Sequence, residues 1–320
     1  MRSPITVLKS LTEKSKDESY KFQRLYRNLY NPEFYWLAYQ NIYANKGSMT
    51  PGMDGTTISG INEERIRQII ASLKDQSYQP HPARRVYIEK KNSQKKRPLG
   101  ISTANDKLVQ EVVRMILESI FEPTFSDKSH GFRPVRSCQT ALLQIQGNFT
   151  GVNWFVEGDI EACFDSFDHH VLIELLQRRI DDASFISLMW KFLKAGYMEQ
   201  WEYNMTYDGV PQGSGISPIL SNIYLSELDT FMSEYKAAFD IRKTHGRKPS
   251  SNYCHARYMA SKYRKESRAI WGNLTPSEKK SRMKEQRALS VKQRETPAHD
   301  VFDDTFKIIQ YARYADDVRP

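Results

Sequence analysis

Three groups of residues in this 320-residue chain have the types and order needed for phosphate chemistry. Asp159 ends the β-branched and aromatic run NWFVEGDI (153–160). Asp316 and Asp317 follow a second such run, in Tyr314-Ala315-Asp316-Asp317. Between them in sequence lies the loop Gly209-Val210-Pro211-Gln212-Gly213-Ser214-Gly215-Ile216-Ser217-Pro218. Carboxylates are hard oxygen ligands, and Mg²⁺ keeps much of its octahedron for water and phosphate, so two or three of them suffice. Two such ions roughly 3.5–4 Å apart can clamp the attacking and leaving oxygens when a nucleotide is transferred to a 3′-hydroxyl. An isolated Asp-Asp pair is usually a turn filler. Here a strand-borne Asp and a Gly-rich loop precede the pair in order, which gives it a chemical reading. Neighbours in a turn point apart, so only one of Asp316 and Asp317 is expected to bridge both ions.

These groups need elements to hold them. Residues 18–46, rich in Tyr and Phe with interspersed Lys and Arg, read as two helices broken near Asn31-Pro32. At helical spacing such aromatics are more often core than stacking platforms for nucleic acid. The segment 61–75 is an amphipathic helix, and 84–101 reads as two short strands joined by a basic turn at Asn92-Ser93. In 105–122, Leu108, Val112, Ile116 and Ile120 form one stripe with Val109, Val113 and Leu117 beside it, a core-facing helix. A helix is expected from about His169, with Asp168 as its cap, and another where Ser217-Pro218 puts Pro at a helix start. The runs 153–160, 201–210 and 306–314 are strand-like. Strands and helices alternate without a regular βαβ rhythm, which favours α+β.

Composition narrows the function classes. No apolar stretch is long enough to span a bilayer, and the charged start lacks the apolar core of a signal peptide. A soluble cytoplasmic protein with no membrane partner is therefore expected. Cys138, Cys163 and Cys254 are far apart and match no zinc spacing, so they read as buried free thiols. The net charge of +9 is unevenly spread: +9 over 1–150, −10 over 151–240, +13 over 241–294 and −3 over 295–320. Basic surface attracts polyphosphate, and an acidic centre can hold divalent cations.

Five segments carry a likeness to a known family. They are RRVYIEKKNSQKKRPLGIST (84–103), FEPTFSDKSHGFRPVRSCQTAL (121–142), VEGDIEACFDSFDH (156–169), GVPQGSGISPILSNIYLSELD (209–229) and YARYADD (311–317). With these in order, the chain resembles reverse transcriptases, specifically those encoded by bacterial group II introns and their maturase relatives. The resemblance implies a right-hand polymerase fold, with an N-terminal extension and fingers over 1–150 and palm over 151–320. It makes Asp159, Asp316 and Asp317 the catalytic, metal-binding carboxylates, with the main-chain carbonyl of Ile160 as a further ligand. The implied cofactor is a pair of Mg²⁺ ions, with Mn²⁺ as a substitute. Lys90 and Arg97 align with residues that grip the incoming triphosphate. Phe164 matches the position under the deoxyribose, where a ring excludes a 2′-hydroxyl, and Gln212 matches a contact to the new nucleotide. Gly213 and Gly215 are expected to let backbone approach a ligand closely.

The resemblance also implies the partners: a group II intron RNA template, a DNA primer or target, and dNTPs. It implies a palm that is incomplete at its C-terminal end and a thumb that is absent. The run 306–314 is then a last strand without its hairpin partner, an open edge that invites self-association. Residues 235–300 read as a basic insertion, a peripheral helical hairpin broken at Thr275-Pro276. Two other functions compete with DNA synthesis on RNA. One is an RNA-binding splicing cofactor whose polymerase site matters little, against which the intact YADD speaks. The other is an RNA-templated RNA polymerase or a cyclase on a related palm, against which Phe164 and the Pro-Gln-Gly loop speak.

Overall fold

The computed structural model describes residues 2–319 apart from Lys46, 90–95, Trp201, 210–212, 242–246, Val301 and Asp304, with backbone alone for Val318 and Arg319. Helix α1 (Pro4–Ser15) leads into an aromatic stretch whose first half is a short 3₁₀ turn, Tyr26–Tyr30, where a helix was expected. Asn31 ends it because a residue before proline is driven out of the helical region. Its backbone is extended, and its side chain accepts a hydrogen bond from the Glu33 amide to cap α2 (Pro32–Tyr43). Tyr26, Phe34, Tyr35 and Ala38 are buried, so most of this stretch packs inward, while Trp36 and Tyr43 are exposed. Helix α3 (Glu63–Lys74) is capped by Asn62 and buries Ile66, Ile69, Ile70 and Leu73.

Strands β1 (Ala83–Glu89) and β2 (Lys96–Ile101) form the expected antiparallel pair, with Ile88 opposite Arg97. The turn read at Asn92-Ser93 lies outside the described residues. Helix α4 (Ala104–Phe121) starts at Thr103, whose hydroxyl accepts from the Asp106 amide. The predicted stripe of α4 is entirely buried, and so are Val109, Val113 and Leu117 beside it. Both α1 and α2 pack on this helix. Truncating Leu108 to alanine is expected to cost about 3 kcal/mol. A urea melt checks it: the midpoint should fall with the slope unchanged.

The remaining elements are α5 (Cys138–Asn148), β3 (Gly158–Asp159), α6 (His169–Arg179), α7 (Ala183–Leu193), β4 (Tyr197–Glu199), β5 (Glu202–Asn204), α8 (Ser217–Phe239), α9 (Ser251–Ile270), α10 (Pro276–Glu295), β6 (Ala312–Tyr314) and β7 (Asp317–Arg319). A four-stranded sheet has the order β2-β1-β4-β5, with β1 and β4 parallel and its other pairs antiparallel. A three-stranded sheet has the order β3-β7-β6, all antiparallel. The fold class is α+β, as the loose alternation implied.

Three expectations are corrected. The strand read over 153–160 shrinks to β3, and that over 306–314 to β6. Trp154, Phe155 and Val156 are exposed and lie outside the strand, since β-prone character alone does not set a strand's length. The last strand does have its hairpin partner. Chain beyond Tyr314 turns back as β7, which pairs with β6 on one side and β3 on the other. On its other side, the Arg313 amide donates to the Lys128 carbonyl and the His130 amide to the Arg313 carbonyl, both at 2.9 Å. The open edge, and with it the stated reason for self-association, is therefore gone. Finally, the cysteines are free as expected, but only Cys163 is buried; Cys138 and Cys254 are exposed.

The chain divides into two compact units. One comprises Met1–Asn148, Val156–Phe231 and Tyr311–Arg319, and holds both sheets. The other comprises Phe149–Phe155 and Met232–Gln310. Within it α9 and α10 pack together, joined at the predicted break. Thr275 and Glu278 form a reciprocal capping box there, with Pro276 opening α10. No residue of α10 is buried and α9 buries only Ala256, Ala260 and Ser267, so their many Lys and Arg face solvent. Among the described residues no helix is long and apolar enough to cross a membrane.

Candidate active site

The three-stranded sheet gathers the predicted carboxylates. Register puts Asp159 of β3 directly opposite Asp317 of β7, and Tyr314 opposite the same residue across the hairpin. The connection is Ala315-Asp316, and Ala315 takes φ 56°, a left-handed value uncommon for a residue with a side chain. Asp159 and Asp317 are exposed and Asp316 is half-buried. Just after β3, the Cys163 thiol is pushed up to about 11, first by burial and then by the charge of Asp316, with Asp159 adding to it and Arg313 opposing. One thiol thus feels both carboxylates, which places them around a common region.

A divalent cation fits this donor set. The groups are oxygens, and their exposure leaves room for water and phosphate to complete the shell. Among the described residues, no three His, Cys, Asp or Glu side chains by themselves surround a metal position. Mg²⁺ needs no such closed cage. Ile160 is half-buried and packs on the main core, which anchors the backbone next to Asp159. Asp168 caps α6 by accepting from the His170 and Val171 amides, which hold its carboxyl below the usual range. It stands as the cap that its sequence position indicated.

Phe164 lies in the 3₁₀ turn that follows β3 and is 8% exposed. Its ring packs edge-on against Phe132 and tilted against Phe167, both at 6.1 Å between centroids. The Gly-rich loop comes to it directly. The Gly209 amide donates to the Phe167 carbonyl at 2.7 Å, and the Gly209 carbonyl meets His169 Nε2 at 2.6 Å. At Gly213, φ is +100° and a side chain would collide with Leu99 and the Gly100 carbonyl, so only glycine lets the loop lie on β2. At Gly215 a Cβ would make only ordinary contacts with Gln110, and its amide donates to Gln110 Oε1 at 3.1 Å. Gln212 and Lys90 lie outside the described residues. Arg97 is exposed on β2, the strand against which Gly213 rests.

Sequence reasoning missed a cleft of about 460 Å³ beside these residues, lined by Arg85, Gly100, Asp165, Tyr197, Tyr207 and Gly209 among others. Arg85 stacks its guanidinium 3.5 Å from the Tyr197 ring centroid and faces Glu199 at 3.8 Å. No local pattern marks Arg85, because its partners come from β4. A second missed feature is Arg313. It stands in the run read only as a strand, and its guanidinium is buried against Asp229 of α8.

Residues 88–259 match the family described as reverse transcriptase (RNA-dependent DNA polymerase). The chain is 46% identical over 318 residues to the group II intron-encoded protein LtrA of Lactococcus lactis subsp. cremoris, covering 99% of this chain and 52% of that protein. It is 40% identical over 317 residues to an uncharacterized 91 kDa protein in the cob intron of Schizosaccharomyces pombe, covering 97% and 37%. It is 35% identical over 322 residues to YkfC of Escherichia coli, covering 97% of this chain and 73% of that protein. This chain thus spans about half the length of LtrA. A family match across more than half of the chain, with intron-encoded relatives along nearly all of it, leads to one conclusion: the chain belongs to the reverse transcriptase family, in the group II intron-encoded reverse transcriptase and maturase group.

Proposed function

We propose that this chain carries the polymerase site of an RNA-directed DNA polymerase that copies intron RNA into DNA and also binds that RNA as a maturase. The observation that carries the reading is the register of the small sheet, with Asp159 opposite Asp317 and Asp316 on the adjoining turn. Asp159, Asp316 and Asp317, with the Ile160 carbonyl, would hold two Mg²⁺ ions, for which Mn²⁺ would substitute. Bound there, Mg²⁺ supplies neutralisation of charge on the transferred phosphoryl group and lowers the pKa of the attacking hydroxyl. Lys90, and Arg97 of β2, grip the triphosphate, as a flexible ammonium and a planar fork suit that charge. Phe164 lies under the sugar, and Gln212 contacts the new nucleotide. Residues 1–150 are the N-terminal extension and fingers, and 151–320 the palm with a basic insertion at about 235–300.

Primer extension on an RNA template with Mg²⁺ tests this, using this chain and a version continued to the length of LtrA. DNA products from the longer chain are the expected result, and none from it would overturn the reading. The maturase part rests on charge, since exposed Lys and Arg of α9 and α10 add to the basic first 150 residues. Filter binding of intron RNA should therefore weaken steeply with salt, by about 10³-fold or more between 50 and 200 mM if six or more phosphates are contacted. Binding that salt does not move would refute the charge argument.

A further inference from the structure

The proposed chemistry makes no use of the most deeply buried ion pair among the described residues. Arg313 of β6 is 1% exposed and Asp229 of α8 is 2% exposed. Arg313 Nε donates to Asp229 Oδ1 at 2.9 Å and Nη2 to Oδ2 at 2.7 Å, a two-pronged pair. Nη2 also donates to the Ser129 hydroxyl at 2.8 Å. The Tyr311 hydroxyl adds a bond to Asp229 Oδ1 at 2.8 Å. The remaining nitrogen, Nη1, donates to the main-chain carbonyl of Ala315 at 2.8 Å. Ala315 is the left-handed residue of the turn that carries Asp316.

A buried ion pair is a poor device for stability, because desolvating both charges offsets much of their attraction. A planar guanidinium with its donors in a fixed fork is, however, a good device for geometry. Here the fork is set by Asp229 and one prong is left to hold the Ala315 carbonyl. From the opposite side, Gly131 lies so close that a Cβ on it would sit 2.2 Å from the Ala315 nitrogen. The Gly131 carbonyl accepts from Asn222 Nδ2 at 2.9 Å, again from α8. Helix α8 begins where the Gly-rich loop ends. One helix therefore continues the Gly-rich loop and reaches the carboxylate turn through two intermediaries, Arg313 held by Asp229 and Gly131 held by Asn222.

We propose that Arg313, locked by Asp229, is a positioning residue that sets the Ala315-Asp316 turn in its metal-binding geometry. The inference rests on the reading of Asp159 and Asp316 as metal ligands. Groups that orient ligands in this indirect way typically change metal affinity 10–100-fold when altered. Lysine at 313 keeps the charge and can reach Asp229, but a single ammonium cannot copy the fork.

The test titrates Mn²⁺ into the protein and reads free ion by electron paramagnetic resonance, with thermal unfolding and RNA binding measured on the same samples. Arg313→Lys should weaken Mn²⁺ binding about tenfold, with RNA affinity unchanged. In primer extension by the longer chain, the Mg²⁺ concentration for half-maximal rate should rise by a similar factor, with the rate largely restored at saturating Mg²⁺. Tyr311→Phe, which removes only one bond to Asp229, should shift the same two readouts in the same direction by a smaller factor. It serves as the deciding variant if Arg313→Lys does not fold. Mn²⁺ affinity equal to the parent's in a folded variant would overturn the proposal, as that is what a purely structural pair predicts. Asp316→Ala is the comparator. If it leaves Mn²⁺ binding intact, the metal-ligand reading itself falls, and the positioning role with it. If it abolishes binding while the 313 and 311 variants do not move it, the positioning role alone falls.

Discussion

Alanine at Asp159 or Asp316 is expected to lower primer extension by at least about 10³-fold, because losing several kcal/mol of charge stabilisation costs a factor of ten for each 1.4 kcal/mol. The RNA affinity of the same variants should stay within about twofold, since phosphate contacts by Lys and Arg dominate binding. The two carboxylates are on the acidic stretch and its hairpin, whereas the excess positive charge is in 1–150 and 241–294. Neither side chain has a burial that would make its removal unfold the sheet: Asp159 is exposed and Asp316 half-buried. The measurement is extension on an RNA template by the chain continued to the length of LtrA, beside filter binding of the same RNA. Extension at the parental rate by either variant would sink the assignment.

Phe164→Val should raise the incorporation of ribonucleotides relative to deoxyribonucleotides by about 10–100-fold, the range that one shape difference in a pocket commands. The ring is 8% exposed and packed against Phe132 and Phe167, so its position is held firmly rather than left to rotate. Firm packing is what a steric barrier needs, and it is also what any core residue has. Phe167→Leu separates the two meanings. Phe167 is 2% exposed and belongs to the same aromatic cluster, so its truncation loosens the core without opening a gap beneath a sugar. A shift in nucleotide ratio for Phe164→Val alone is the expected outcome. Equal shifts for both would make Phe164 a core residue and move sugar selection elsewhere.

Much of this molecule was legible from residues near one another in the chain. Helix α4 was readable because Leu108, Val112, Ile116 and Ile120 recur at helical spacing, and helical spacing needs no partner to be seen. The starts of α6 and α10 were readable because Asp168 and Thr275 satisfy amides within a turn of themselves. The order of Asp159, the Gly-rich loop and Asp316-Asp317 was enough to indicate a cation-assisted chemistry. Strand lengths were not readable in this way. Residues 153–156 have the same character as β3 yet lie outside it, and β7 pairs on both sides despite a Pro just beyond it.

Tertiary structure decided what depends on pairing across the chain. The register that sets Asp159 against Asp317 joins strands far apart in sequence, and a slip of one residue would turn the carboxylates to opposite faces. The Arg313–Asp229 pair spans 84 residues, so neither partner announces the other, and an Arg in a strand reads as solvent-facing until its carboxylate is found beneath it. Gly213 looked like Gly215 in sequence, yet only Gly213 is pressed against a neighbouring strand. Periodicity and capping are short-range and are written where they act. Burial, register and close approach are set by whatever another segment brings, and only the folded chain determines that.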